Sequence, residues 1–172
     1  VGAKRGREQD GDAAATPDDV ARAQRVAASG AAPGVRNGGE SGAMAELDRL
    51  VNRVNQILLT DLSIQFELIA DNDQLIFSDA STDPFNNDGS EEDLEANQQT
   101  IDNTIGNGNY DIGHLLSTSG GGLAFVGVTC LGSFKAQGYT GASRPFGESF
   151  YIDFLWRNGQ FFDIKISGLS EF

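Results

Sequence analysis

The 172 residues contain one histidine, one cysteine, one methionine and one tryptophan, and each scarcity closes a class of chemistry. Cys130 stands alone, so it forms no internal disulfide, and its apolar surroundings fit a buried, inert thiol. His114 is equally alone: a protein zinc site takes three or four imidazole, thiolate or carboxylate ligands, and neither a second histidine nor a neighbouring cysteine is there to supply them. A single imidazole can still act as ligand, acid, base or packing residue. Asp111 is close enough in sequence to orient it, but Ile112, Leu115 and Leu116 favour a packed, structural histidine. No G-x-S-x-G occurs, and the serines have only His114 as a conceivable base, which argues against a nucleophilic hydrolase. Gly106-Asn107-Gly108 lacks the Lys and Thr of a phosphate-binding loop.

Basic residues are missing from the middle of the chain. Between Arg53 and Lys135 there is neither Lys nor Arg, and the formal net charge is −13. Residues 1–42 are balanced, so the acidic excess belongs to the rest. Proteins neutralise phosphate backbones with Lys and Arg, so this surface excludes nucleic acid as a partner and suits cationic partners or divalent ions. No segment approaches the roughly 20 apolar residues of a membrane span. The first residues show no basic stretch followed by an apolar one, so no secretory signal is visible.

What is present is enough for one core: 39% of residues are hydrophobic, 11 of them Phe. Residues 1–42, rich in Gly, Ala and mixed charge, are expected to be disordered or weakly ordered, with Arg25 to Ser29 at most a short edge strand. From Ala43 the character changes. Ala43, Leu47, Leu50, Val51, Val54, Ile57 and Leu58 make one apolar stripe at helical spacing. Leu62 to Ile69 alternates as a strand with one buried face, and a helix feeding a strand points to α/β. Asp79 to Gly89 is dense in turn formers. Ser90 with Glu91, Glu92 and Asp93 resembles a helix N-terminus, its acids meeting the positive end of the dipole, and the helix should stop at Gly106. Gly122 to Cys130 is apolar and β-branched enough for a strand covered on both faces. Phe150 to Phe154 and Phe161 to Ile166 read as two strands joined at Asn158-Gly159.

Several segments in sequence, Leu47 to Ile69, Phe77 to Phe85, Ala96 to Cys130 and Lys135 to Phe154, together resemble the bacterial reprolysin-like zinc metallopeptidases of the metzincin class. The resemblance covers roughly residues 43–154, read as the metallopeptidase-like domain, with residues 155–172 a divergent tail. It implies a mixed, mostly parallel sheet flanked by helices, incomplete at its C-terminal end, and a secreted protein that acts on extended peptides or proteins. It also implies that the strand beginning at Gly121, Gly122, Leu123 and Ala124 lies at the edge of a cleft where an extended substrate pairs with it. The run Ser119 to Gly122 agrees physically, because glycines let another backbone approach closely, although the same run also suits a flexible turn.

The resemblance implies zinc, but the pattern H-E-x-x-H-x-x-G-x-x-H that binds it and supplies the general base is absent from the 172 residues. So is a Met-turn, since the one methionine is Met44. No catalytic or metal-binding residue is therefore assigned, and the chain is expected to lack peptidase activity. The abrupt change of character after Phe154 fits a shifted reading frame, which translation of the coding DNA in the other frames would reveal. Two other functions remain open: a non-catalytic peptide-binding module using the edge strand at 120–130, or an acidic calcium-binding structural domain. For calcium, the loop acids from Asp71 to Asp93 offer suitable oxygens, but Pro84 stands where an EF-hand would need its first Asp. A solvated acidic face is the simpler reading of them.

Overall fold

The computed structural model describes residues 23–29, 35–143 and 147–161. Five strands form one sheet: β1 (Ala23–Ser29), β2 (Gln65–Leu68), β3 (Ile112–Ser117), β4 (Gly121–Ala124) and β5 (Gly138–Gly141), in the spatial order β2-β1-β3-β5-β4. β1 runs parallel to β2 and β3, β3 is parallel to β5, and β4 is antiparallel to β5. Three helices flank the sheet: α1 (Val35–Leu62), α2 (Glu91–Thr104) and α3 (Glu148–Phe161). The mixed, mostly parallel α/β architecture is the one the sequence implied. No described helix is long and apolar enough to cross a membrane.

α1 follows its apolar stripe: Ala43, Leu47, Leu50, Val51, Val54 and Leu58 are buried in the largest cluster of the core. The helix runs through Leu62, and Ser63, at φ 53°, turns the chain into a shorter strand than the alternation suggested. α2 begins after Ser90 with Glu91, Glu92 and Asp93 in its first turn and ends before Gly106, whose φ of 90° a helix cannot continue.

Alternate residues of β3 sort the layers. His114 meets Phe154 of α3, and Ile112 and Leu116 join the cluster that contains α1 and α3 residues. On the opposite face Gly113 touches Ile101 and Leu115 packs with Leu94, both from α2. The sheet is thus sandwiched between α1 with α3 and α2, and every residue of β3 is buried.

Four expectations are corrected. The strand at 23–29 is not at an edge; it pairs on both sides, and α1 already begins at Val35, within the stretch expected to be weakly ordered. The strand covered on both faces is β3, not Gly122 to Cys130. Of that run only Gly122 to Ala124 stays in the sheet, after which Phe125 and Val126 are exposed and Gly127, at φ 70°, turns the chain away. Cys130, at φ 61° in the same excursion, is exposed instead of buried. Residues 150–154 are helical, not extended: Phe150, Phe154 and Leu155 share one buried face, and α3 passes through Asn158-Gly159 without a hairpin. The second proposed strand, at 161–166, lies beyond Phe161 outside the described residues.

Candidate functional site

The two edges of the sheet are finished differently. At the β2 edge, Phe66 donates its N–H to Asn55 Oδ1 at 2.7 Å and accepts from Asn55 Nδ2 at 2.8 Å. A buried side-chain amide from α1 thereby imitates the next strand and closes the ladder there. At the other edge β4 pairs only with β5 among the described residues.

Which groups of β4 face outward follows from one bond. The Phe125 N–H donates to the Gln137 carbonyl at 3.1 Å, so in the register Leu123 opposite Tyr139 and Gly121 opposite Gly141 the backbone groups of 125, 123 and 121 turn toward β5. Gly122 and Ala124 consequently turn their N–H and C=O groups to the open side. Of the four residues singled out from sequence, two carry this outward ladder and two hold the strand in place.

The support of β4 is built from close approaches. Gly121 has a φ of 93°, and the Tyr139 hydroxyl donates to the Gly120 carbonyl at 3.0 Å. At Gly141 an added Cβ would fall 2.2 Å from the Ser119 carbonyl oxygen, so the turn from β3 into β4 packs directly on β5. β5 is anchored in turn by buried Lys135, whose Nζ donates to the Tyr110 carbonyl at 2.8 Å and to that of Asn107, and sits 4.0 Å over the Tyr110 ring. Gln98 of α2 completes the anchor by accepting the Ala136 N–H at 2.8 Å. Beside the open edge, Leu123, Phe125, Val126, Leu131 and Phe134 are exposed, the two Phe rings 6.0 Å apart. Such a cluster of exposed apolar groups is typical of an interaction surface.

His114 is a core residue. It is fully buried, with Nε2 2.8 Å from Thr140 Oγ1 and its ring edge-on to Phe154 at 4.8 Å. Burial, and secondarily the charge of Arg157, push its pKa down to about 3. The Asp111 carbonyl accepts the Cys130 N–H at 3.1 Å, and Cys130 Sγ lies 4.0 Å from Asp111 Oδ1.

The acidic loop spends its oxygens on itself. Asp93, almost fully buried, accepts N–H groups of Asn86 at 2.8 Å, Asp88 at 3.2 Å and Gly89 at 3.1 Å. Asp83 binds Phe85 N–H and Asn87 Nδ2, and Asp79 takes two bonds from Ser81, which hold its carboxyl below the usual range. Among the described residues no group of three His, Cys, Asp or Glu side chains could hold a metal ion. Asp93 is accordingly a clamp on the loop. Asp93→Ala is expected to cost about 3 kcal/mol, because three N–H groups lose a charged acceptor. Urea unfolding measures it; a change within 0.5 kcal/mol, the range of a neutral surface substitution, would show that the clamp is idle.

A family model for metallopeptidase family M12B, reprolysin-like, matches residues 21–163. The chain belongs to that family. The match begins before β1 and ends after α3, so it takes in every element described and extends beyond both limits of the resemblance seen in the sequence. No curated protein matches the chain. Reprolysin-like peptidases generally use zinc, and the residues present here do not fit that ion. The one histidine of the 172 residues is enclosed in the core with Nε2 against Thr140, and it has no second imidazole beside it. No step of peptide hydrolysis is therefore assigned to these residues.

Sequence reasoning missed three parts of the site. β5, four residues with a glycine at each end, gave no strand signal, although it carries β4. Asn55 was singled out by no sequence signal. Arg157 lay in the segment set aside as divergent.

Proposed function

We propose that this chain captures extended peptides by strand addition to β4 and does not cleave them. The observation that carries the reading is the outward direction of the Gly122 and Ala124 backbone groups at the β4 edge, which among the described residues has no partner strand and, unlike the β2 edge, is not closed by the Asn55 amide. A peptide laid beside β4 completes that ladder, and main-chain bonds of this kind supply affinity with little demand on sequence. The exposed cluster around Leu123, Phe125 and Phe134 adds apolar area for the peptide's side chains. Membership of a peptidase family supports peptides and proteins as the ligand class and an extracellular setting. The lack of cleavage rests on the zinc pattern, since a family that activates water on zinc needs imidazoles and a general base that the 172 residues do not contain. No observation favours the calcium-dependent alternative, in which an added Ca²⁺ ion would raise the melting temperature.

Ala124→Pro tests the reading. Proline removes one outward N–H and leaves the bonds to β5 intact, which an edge strand tolerates. Fluorescence anisotropy with a labelled apolar peptide is expected to show at least a tenfold loss of affinity at an unchanged melting temperature. Equal binding by the variant would place the peptide elsewhere. Stoichiometric tightly bound zinc together with cleavage of the peptide would refute the claim of inactivity.

A further inference from the structure

The open edge has a cation next to it. Arg157 of α3 reaches over β4 at Gly122, where an added Cβ would fall 2.5 Å from its Nε and 3.0 Å from its Cζ. The guanidinium occupies the space that the missing side chain leaves, on the face of the sheet that α3 covers. Its charge is felt within that layer: together with burial, the larger effect, it keeps His114 neutral. The nearest other base in sequence on the strand side, Lys135, is buried and committed to two carbonyls.

Strand geometry relates this cation to the ligand. Directly opposed residues of neighbouring strands project to the same face, with Cβ atoms about 5 Å apart. A peptide residue opposite Gly122 therefore projects toward α3, and because Gly122 has no side chain the group it meets is the guanidinium of Arg157. Its peptide neighbours project to the other face, where Leu123 and Phe125 are exposed. A guanidinium has five N–H donors in one plane, more than a single partner takes up, and it pairs best with a carboxylate.

We propose that the peptide held by β4 carries an Asp or Glu side chain opposite Gly122, received by Arg157, with an apolar residue on either side. The inference rests on the peptide-capture reading and narrows it to an apolar-acid-apolar pattern. It also sets a preference against the chain's overall acidity, which taken alone would select basic peptides.

The test uses the full chain and two labelled peptides that differ only in a central Glu or Gln flanked by Val and Ile. The Glu peptide is expected to bind about tenfold more tightly at low salt. Arg157→Gln should abolish that preference, bringing the Glu and Gln peptides to equal affinity, and Arg157→Lys, which keeps the charge but loses the planar fork, should retain part of it. Equal affinities of the wild-type chain for the two peptides would overturn the inference and leave peptide capture standing. A preference that survives Arg157→Gln would also overturn it, by moving the carboxylate to another group. Failure of both peptides to bind, or binding indifferent to Ala124→Pro, would remove the capture reading and the inference with it.

Discussion

Gly113→Ala is expected to destabilise the protein by about 3 kcal/mol, the upper range for overpacking a well-filled site. The added Cβ would stand 2.4 Å from Ala136 Cβ, 2.7 Å from Ile101 Cδ1 and 2.9 Å from Ala136 Cα. Ile101 can rotate its end methyl, but Ala136 has no torsion to give, so backbone must move. The strand concerned is the buried middle of the sheet, and the displaced segment is the one that leads into β5. Both the α2 face and the support of β4 lie along that path. The stability of domains this size is about 5–15 kcal/mol, so the loss is a large fraction of the whole. Gly108→Ala, where nothing lies within 4 Å, is the matched control and should change stability little. Urea midpoints for the two variants measure the difference. Equal midpoints would mean that β3 and the segment before β5 are not packed as described.

The second large effect is acid lability from His114. In the folded protein its pKa is pushed down to about 3 by burial and then by Arg157, against an ordinary value of 6.5. Above pH 6.5 the imidazole is neutral in both folded and unfolded chains and has no influence on the balance. Below it the unfolded chain takes up a proton that the folded one refuses, so stability falls with falling pH until the folded site itself titrates near pH 3. At about 1.4 kcal/mol for each pH unit, this amounts to roughly 2 kcal/mol by pH 5. His114→Gln retains a hydrogen-bonding group for Thr140 and removes the titration. The stability difference between wild type and variant should therefore shrink by that amount between pH 7 and pH 5, while carboxylate effects common to both cancel. A difference that does not vary with pH would place the imidazole in contact with water.

These two positions illustrate what the sequence disclosed and what it withheld. α1 and the start of α2 were legible, because an apolar stripe at helical spacing and an acidic first turn are local signals that tertiary packing did not override. The edge position of Gly121 to Ala124 was legible through the glycine run and the family resemblance. β3 was not, since Gly113 and His114 interrupt its apolar pattern; only the packed structure shows that one makes room for Ala136 and the other is satisfied by Thr140. α3 was misread because aromatic residues at 150, 151 and 154 suit a strand as well as a helix, and burial of Phe150, Phe154 and Leu155 on one face decides for the helix. Asn55 and Arg157 were invisible for a related reason. Each acts on a backbone far away in sequence, one closing the β2 edge and the other lying across Gly122 at the β4 edge.

Openness of that edge is the property on which the proposed peptide capture depends, and backbone amide signals report it directly. On titration of the ¹⁵N-labelled chain with an extended apolar-acid-apolar peptide, the amides of Gly122 and Ala124 should shift most and become protected from exchange. Those of Gly121 and Leu123, already bonded to β5, should respond less, and the peptide should be recovered intact. Shifts confined to other surfaces, or a peptide recovered in two pieces, would contradict the account.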